Sequence, residues 1–325
     1  MNKRHLLRVA ALGACGLLLA GAGWTQDFPP KKTVTVMVGF APGGAADAAA
    51  RLIAKKLGEN VGQTVVVENK AGAGGNIAHQ LTANGPADGS LLLFGSIGPL
   101  TIAPHMMKLP YDPFKDLAPV SGAVHFPNVL VVNSNSGIKS LADFVAQARK
   151  ESKAVSFAST GSGSASHLAG ELFSQRAKVE MVHVPYRGGA PAMQDLLAER
   201  FTGYFAAPPT ALPHIEAGRL TTIATTGLTR PAYMPNVPTV AESGFPGFQA
   251  LNWYAFVASS KTPASILDRW NQEVVKVLND ASVREALTKH GLTPHPTTRT
   301  ELLEFMRKES TQWGDIVRQR KITAE

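Results

Sequence analysis

The chain predicts an α/β fold in two lobes, each a mostly parallel sheet flanked by helices. Three observations carry that expectation. Strand-like and helix-like runs alternate almost throughout. Two glycine-rich turns near the front each follow a strand-like run. A chain of 325 residues also exceeds the size at which one core keeps growing.

The elements follow in order. Lys3, Arg4 and Arg8 precede an apolar stretch over residues 9–20, which reads as a secretory signal over 1–22 that sends the chain to the periplasm. The stretch is too short to cross a bilayer. Cys15, the only cysteine, lies inside it, so the exported chain is expected without disulfide or thiolate chemistry. The apolar run continues past Cys15, which argues against lipid anchoring there. Setting the three leader cations aside lowers the net charge from +8 to +5. The remaining basic residues are mixed with acids, which suits an anionic small ligand better than nucleic acid.

Val34, Val36 and Val38 alternate as a strand before FAPGGAAD at 40–47, and TVVVE at 64–68 precedes NKAGAGGN at 69–76. Glycine lets consecutive main-chain N–H groups converge on one carboxylate or phosphate. The plain alternative is a tight connection. The first turn runs into a helix with Ala49, Ile53 and Leu57 on one face, whose amino end adds partial positive charge. Neither turn is a nucleotide fingerprint: GxGxxG fails at Ile77, and GxxxxGK[ST] occurs nowhere.

Further strands are expected at 91–94, 129–132, 155–158 and 179–184. Ser140 with Asp143 predicts a capped helix to about Lys150, and Pro191 suits a first helical turn. After strand 155–158 the run STGSGS at 159–164 gathers hydroxyls and amides ahead of a helix bearing Leu168, Leu172 and Phe173. Ile266, Trp270, Val274 and Val277 form one core stripe after Thr262-Pro263, and Leu302, Phe305, Met306, Trp313 and Ile316 form another. Proline-rich joints at 104–127 and 231–246 read as lobe crossings, giving lobe one as 27–125, lobe two as 126–250 and a return to lobe one over 251–325.

The run FAPGGAADAAAR at 40–51 resembles the first signature of the tripartite tricarboxylate transporter receptors, the Bug-type periplasmic solute-binding proteins. VVENKAGAGGNIA (66–78), PADGSLLL (86–93), LPYDPFKDLAPVS (109–121), FASTGSGSASHLAGELF (157–173), VPYRGGAPAMQDLL (184–197) and VPTVAESG (237–244) resemble it too, covering nearly all of the chain after the leader. The resemblance implies a type II periplasmic-binding-protein (Venus flytrap) fold and a monomeric receptor with no cofactor. It also implies a small organic carboxylate held between the lobes without catalysis, and delivery to an ion-gradient-driven permease of one small and one large subunit. A sensor component that presents its ligand to a signalling membrane protein is the alternative.

Carried onto this sequence, the resemblance places Phe40, Pro42, Gly43, Gly44 and Asp47 of the first turn at the ligand. Ala73, Gly74 and Asn76 of the second turn join them, with Ser96 at the end of a strand. From lobe two come Thr160, Gly161, Ser162, Ser166 and His167, then Tyr186, Arg187, Gly188 and Ala206. Several roles stay open: Asp47 as helix cap or ligand contact, His167 turned to the cleft or to its own turn, Arg187 at the cleft or on the surface, Trp253 as hinge anchor or cleft wall.

Ser164, Ser166, His167 and Asp195 are triad residue types, but no GxSxG elbow surrounds these serines, and adjacent helical side chains diverge by about 100°. His290 and His295 lack the neighbours a metal needs. The chain departs from the family where relatives carry aspartates on a strand and it has Gly203, Ala206 and Ala207. It also has Ala78 in place of a third glycine, and SSKTP at 259–263. Lost acids argue against an amine-bearing ligand, and a roomier wall would favour an aromatic or longer acid.

Overall fold

The computed structural model describes residues 28–323. The expected leader and Cys15 lie outside them.

Eleven strands among the described residues build two sheets: β1 (Val34–Val38), β2 (Val65–Asn69), β3 (Leu91–Ser96), β4 (Leu117–Pro127), β5 (Val129–Asn133), β6 (Val155–Ser159), β7 (Met181–Pro185), β8 (Gly203–Ala206), β9 (Leu220–Thr225), β10 (Leu251–Ser259) and β11 (Thr293–Pro294). One sheet has the order β11-β4-β10-β3-β1-β2 and the other β7-β6-β8-β5-β9. The first therefore draws on the two ends of the described chain and the second on its middle.

The α/β class with two helix-flanked sheets is as expected, but both sheets are mixed. β1 pairs parallel with β2 and β3, and β6 parallel with β7 and β8. The antiparallel pairs are β10 with β3 and β4, β11 with β4, and β5 with β8 and β9. The reason lies in the passage between sheets. β4 and β5 are one extended run broken only at Asn128, and the returning β10 lies alongside β4 in the opposite direction.

Nine helices cover the faces among the described residues. α1 (Ala45–Val61) buries Ala49, Ile53 and Leu57 as the sequence stripe requires, and ends at the left-handed Gly62. α2 (Asn76–Ala83) follows the second glycine turn. α3 (Leu141–Lys150) starts at Ser140, whose side chain accepts the Asp143 N–H. α4 (Ala165–Ala177), α5 (Gly189–Leu197) and α6 (Pro208–Glu216) belong to the second lobe.

The stripe after Pro263 is split. α7 (Ala264–Asn279) buries Ile266, Trp270, Val274 and Val277, then Asp280 breaks the helix and caps α8 (Ala281–Lys289). Each such large apolar side chain contributes about 1.5–3 kcal/mol by leaving water. α9 (Arg299–Arg320) opens with a full capping box between Thr298 and Glu301.

The lobe junction is tied by hydrogen bonds. Asn128 N–H donates to Thr226 Oγ1 at 2.8 Å, Thr226 N–H to the Asn128 carbonyl at 2.9 Å, and Thr226 Oγ1 to the Ala250 carbonyl at 2.7 Å. Trp253 is buried against α9, its indole N–H donating to Glu309 at 3.1 Å. It anchors the return strand and forms no part of the cleft wall.

Candidate ligand-binding site

Between the lobes lies a partly enclosed cavity, with about 460 Å³ of atom-free space that includes its open mouth. Its wall is built by helix starts. Gly44, Ala45 and Ala46 open α1; Ser164, Ala165 and Ser166 open α4; Gly189 opens α5; and Ala207 with Thr210 opens α6.

First-turn N–H groups have no acceptor inside their own helix, and the helix dipole makes that end positive. Pro208 and Pro209 lack an N–H, so α6 offers the Thr210 hydroxyl in place of amides. Phe40, Ile97, Tyr204, Phe205 and Tyr254 supply the apolar part. Burial lifts both phenols above their ordinary pKa, Tyr204 also feeling Tyr254, so they stay neutral. No acidic, basic or histidine side chain among the described residues lines the cavity.

Four lining side chains are buried with polar atoms that find no partner among the described residues. They are Ser96 Oγ, Thr210 Oγ1, Asn252 Oδ1 and both amide atoms of Asn128. Buried polar groups in folded proteins are almost always hydrogen-bonded. A cavity lined by several unpaired ones is shaped for a polar guest.

The lobes are closed on one another. Ala41 N–H donates across the gap to the Arg187 carbonyl at 3.0 Å. Gly74 has φ +63°, and a Cβ there would strike the Ser162 carbonyl oxygen. Gly161 has φ +126°, and its Cβ would lie 2.8 Å from the Gly74 N and Cα. A Cβ on Gly188 would meet the Ala41 N at 2.8 Å. The glycines thus permit main chain to rest on main chain at the rim.

Of the residues expected at the ligand, Phe40, Gly44, Ser96, Thr160 and Ser166 line the cavity. Thr160 N–H donates to Ser166 Oγ at 2.9 Å, which fixes the lobe-two turn. Ala73, Gly74, Gly161, Ser162, Tyr186 and Arg187 line a separate, more open depression outside the rim. Tyr186 turns its hydroxyl to Asp195 at 2.8 Å; burial and that carboxylate push its pKa up to about 12. Arg187 is exposed and meets the other lobe through its carbonyl.

The others sit elsewhere, each for a visible reason. Pro42 and Gly43 are exposed, and the Gly43 N–H donates to Asp47 Oδ2 at 3.0 Å. Asp47 also accepts from Arg51 Nε at 3.0 Å and Asn69 Nδ2 at 2.9 Å. Burial opposes its charge, yet the bonds from Arg51, Gly43 and Asn69 outweigh that and hold the carboxyl below its ordinary pKa. It pins the turn. Asn76 donates to the Ala73 carbonyl at 2.7 Å and accepts from Tyr111 at 2.8 Å. Ala206 packs in the lobe-two core, and its neighbour Ala207 takes the place at the wall.

His167 turns inward to its own loop. Its Nδ1 accepts the Gly163 N–H at 3.2 Å and its ring stacks on His183 at 3.9 Å. Burial, then the second imidazole, lowers its pKa to about 3, and burial lowers that of His183 to about 4. In lobe one His79 Nδ1 lies 2.9 Å from the Gly75 carbonyl, to which it donates, and burial lowers its pKa to about 4. A neutral histidine therefore braces the second glycine turn of lobe one and the serine-glycine loop of lobe two. The Ser159 Oγ and His183 Nε2, 2.6 Å apart, have the spacing of a nucleophile and base. Ser159 is fully buried and also accepts the Gly161 N–H, so it is part of the loop's scaffold.

Asn128, Asn252 and Thr210 were absent from the expected set. A signal existed for the first two: each is a lone amide inside an apolar strand run, FPNVLVV and LNWYAF.

The family model for the tripartite tricarboxylate transporter family receptor matches residues 49–322. The chain belongs to that family. Protein BugT of Bordetella pertussis is 36% identical over 98% of both chains. Among solved structures, this receptor is similar to R. palustris Rpa4515 with adipate, at 32% identity, TM-score 0.88, covering 91% of this chain and 99% of that one. It is also similar to MatC from Rhodopseudomonas palustris with bound malate, at 31% identity, TM-score 0.85, covering 89% and 99%. No helix among the described residues is long and apolar enough to cross a membrane.

Proposed function

We propose that this receptor works in the periplasm, closing its lobes on a small organic carboxylate that carries no amine. It hands the ligand, chemically unchanged, to an ion-gradient-driven permease of one small and one large subunit, and acts as a monomer. On this reading lobe one comprises 27–125 and 251–325, lobe two comprises 126–250, and a leader over 1–22 supplies export.

The observation that carries the ligand class is the cavity wall: three helix starts, whose positive ends favour an anion, and no charged side chain among the described residues that line it. Each charge-assisted bond to a carboxylate is worth about 1.5–3 kcal/mol net. An ammonium would face the positive ends of those helices with no acid to pair with. The adipate and malate in the two similar proteins are both carboxylates without an amine, which supports the same choice.

A thermal-shift screen tests it. Adipate, malate, succinate and benzoate are run against glutamate and aspartate; a ligand at about 100 times its Kd adds about 2.7 kcal/mol of stability. Stabilisation confined to the amine-free acids is expected. Stabilisation by glutamate or aspartate alone would overturn the reading.

A further inference from the structure

Resting on that reading, we propose that Asn128 selects carboxylates that also bear a hydroxyl. The residue sits at the passage between the sheets, 1% exposed, and its main chain is held on both sides by Thr226. Its side chain lines the cavity with both amide atoms unpartnered among the described residues.

The chemistry of those two atoms decides what they accept. A carboxylate is an acceptor only. It satisfies the Asn128 Nδ2–H, and the hydroxyls of Ser96 and Thr210 turn to donate to it. It cannot satisfy the Asn128 Oδ1, which needs a donor. Exchanging the oxygen and nitrogen of the amide changes nothing, because both positions are unpartnered. Asn252 adds only its Oδ1 to the fully buried, unpartnered atoms, so Asn128 is the residue with both amide atoms waiting.

The missing donor is neutral. An ammonium is disfavoured by the helix starts and by the lack of any acid among the described residues of the wall. A hydroxyl donates to Oδ1, and carboxylate or hydroxyl oxygens take the two Nδ2 hydrogens, so one ligand O–H supplies the donor that Asn128 lacks. An analogue lacking that hydroxyl leaves a buried acceptor unpaired. That loss weakens binding by roughly tenfold or more.

Titration calorimetry on the leader-free full chain tests this with matched pairs: malate and succinate, 3-hydroxyadipate and adipate, 4-hydroxybenzoate and benzoate. At least one hydroxylated acid is expected to bind roughly tenfold tighter than its deoxy partner, with the preference lost in Asn128→Ala and in the milder Asn128→Ser. Each comparison is a ratio within one protein, so a general loss of stability does not imitate it. Deoxy acids binding as tightly as their partners in the wild type would overturn the proposal and leave the carboxylate reading standing. An unchanged ratio in folded Asn128→Ala would remove the role from Asn128. Failure of every acid to bind would overturn both readings.

Discussion

Gly74 and Gly161 meet main chain to main chain across the mouth of the cleft: a Cβ on Gly161 would lie 2.8 Å from both the N and Cα of Gly74. Real Cβ atoms do not approach so closely, and neither backbone carries a flexible end that moves aside. Closure of this receptor therefore depends on two absent side chains, one in each lobe.

Gly74→Val is expected to fold and to stay open. Small-angle scattering with and without malate or adipate, whichever the wild type binds, should show compaction in the wild type and none in the variant. Affinity should fall by roughly a hundredfold, since the closed state is no longer accessible. Gly43→Val acts differently, because a Cβ at Gly43 would meet only Ala190 at 3.7 Å. Its φ of +79° makes the change a folding defect of about 1–3 kcal/mol, read by urea unfolding.

Asp47→Asn is expected to lower stability by about 1–3 kcal/mol while a folded fraction keeps its affinity within about threefold. Asp47 serves Gly43, Arg51 and Asn69, not the cavity. A large affinity loss at unchanged unfolding midpoint would contradict this.

Stability should fall on acidification before the carboxylates titrate. His79, His167 and His183 have folded pKa values of about 4, 3 and 4, below the ordinary 6.5. Between those limits the unfolded chain binds more protons than the folded one, so stability is full above about pH 6.5 and declines as pH falls toward about 4. The slope is about 1.4 kcal/mol per pH unit for each buried histidine. Urea midpoints between pH 7 and pH 4.5 measure it, and His167→Gln should flatten the curve.

Arg187→Ala is expected to leave affinity within about threefold at physiological salt, because the exposed guanidinium acts only at screened range. The carbonyl that meets Ala41 is retained. A loss beyond tenfold would return the side chain to the ligand.

Legibility divided along physical lines. Periodic burial announced α1, α3, α7 and α9, and Ser140 and the prolines marked starts. β4, β9 and β10 were not anticipated as strands: Pro119 and Gly122 interrupt β4, the Thr221–Thr222 pair interrupts β9, and β10, buried almost throughout, has no alternation to read. The two glycine turns were visible, but not what the glycines are for. Gly43 and Asp47 looked like ligand contacts because a turn that binds an anion and a turn that fixes itself use the same residue types. Asn128 and Asn252 were overlooked because one polar residue in an apolar strand gains meaning only when the opposing wall is known.

The rim contacts also bear on timing. With Ala41 bonded to Arg187 and Gly161 resting on Gly74, a guest held as proposed is expected to leave when the lobes part, so its residence time should follow the waiting time for that step. Whatever pries the rim apart then decides both when the load is released and on which side of the encounter it is left.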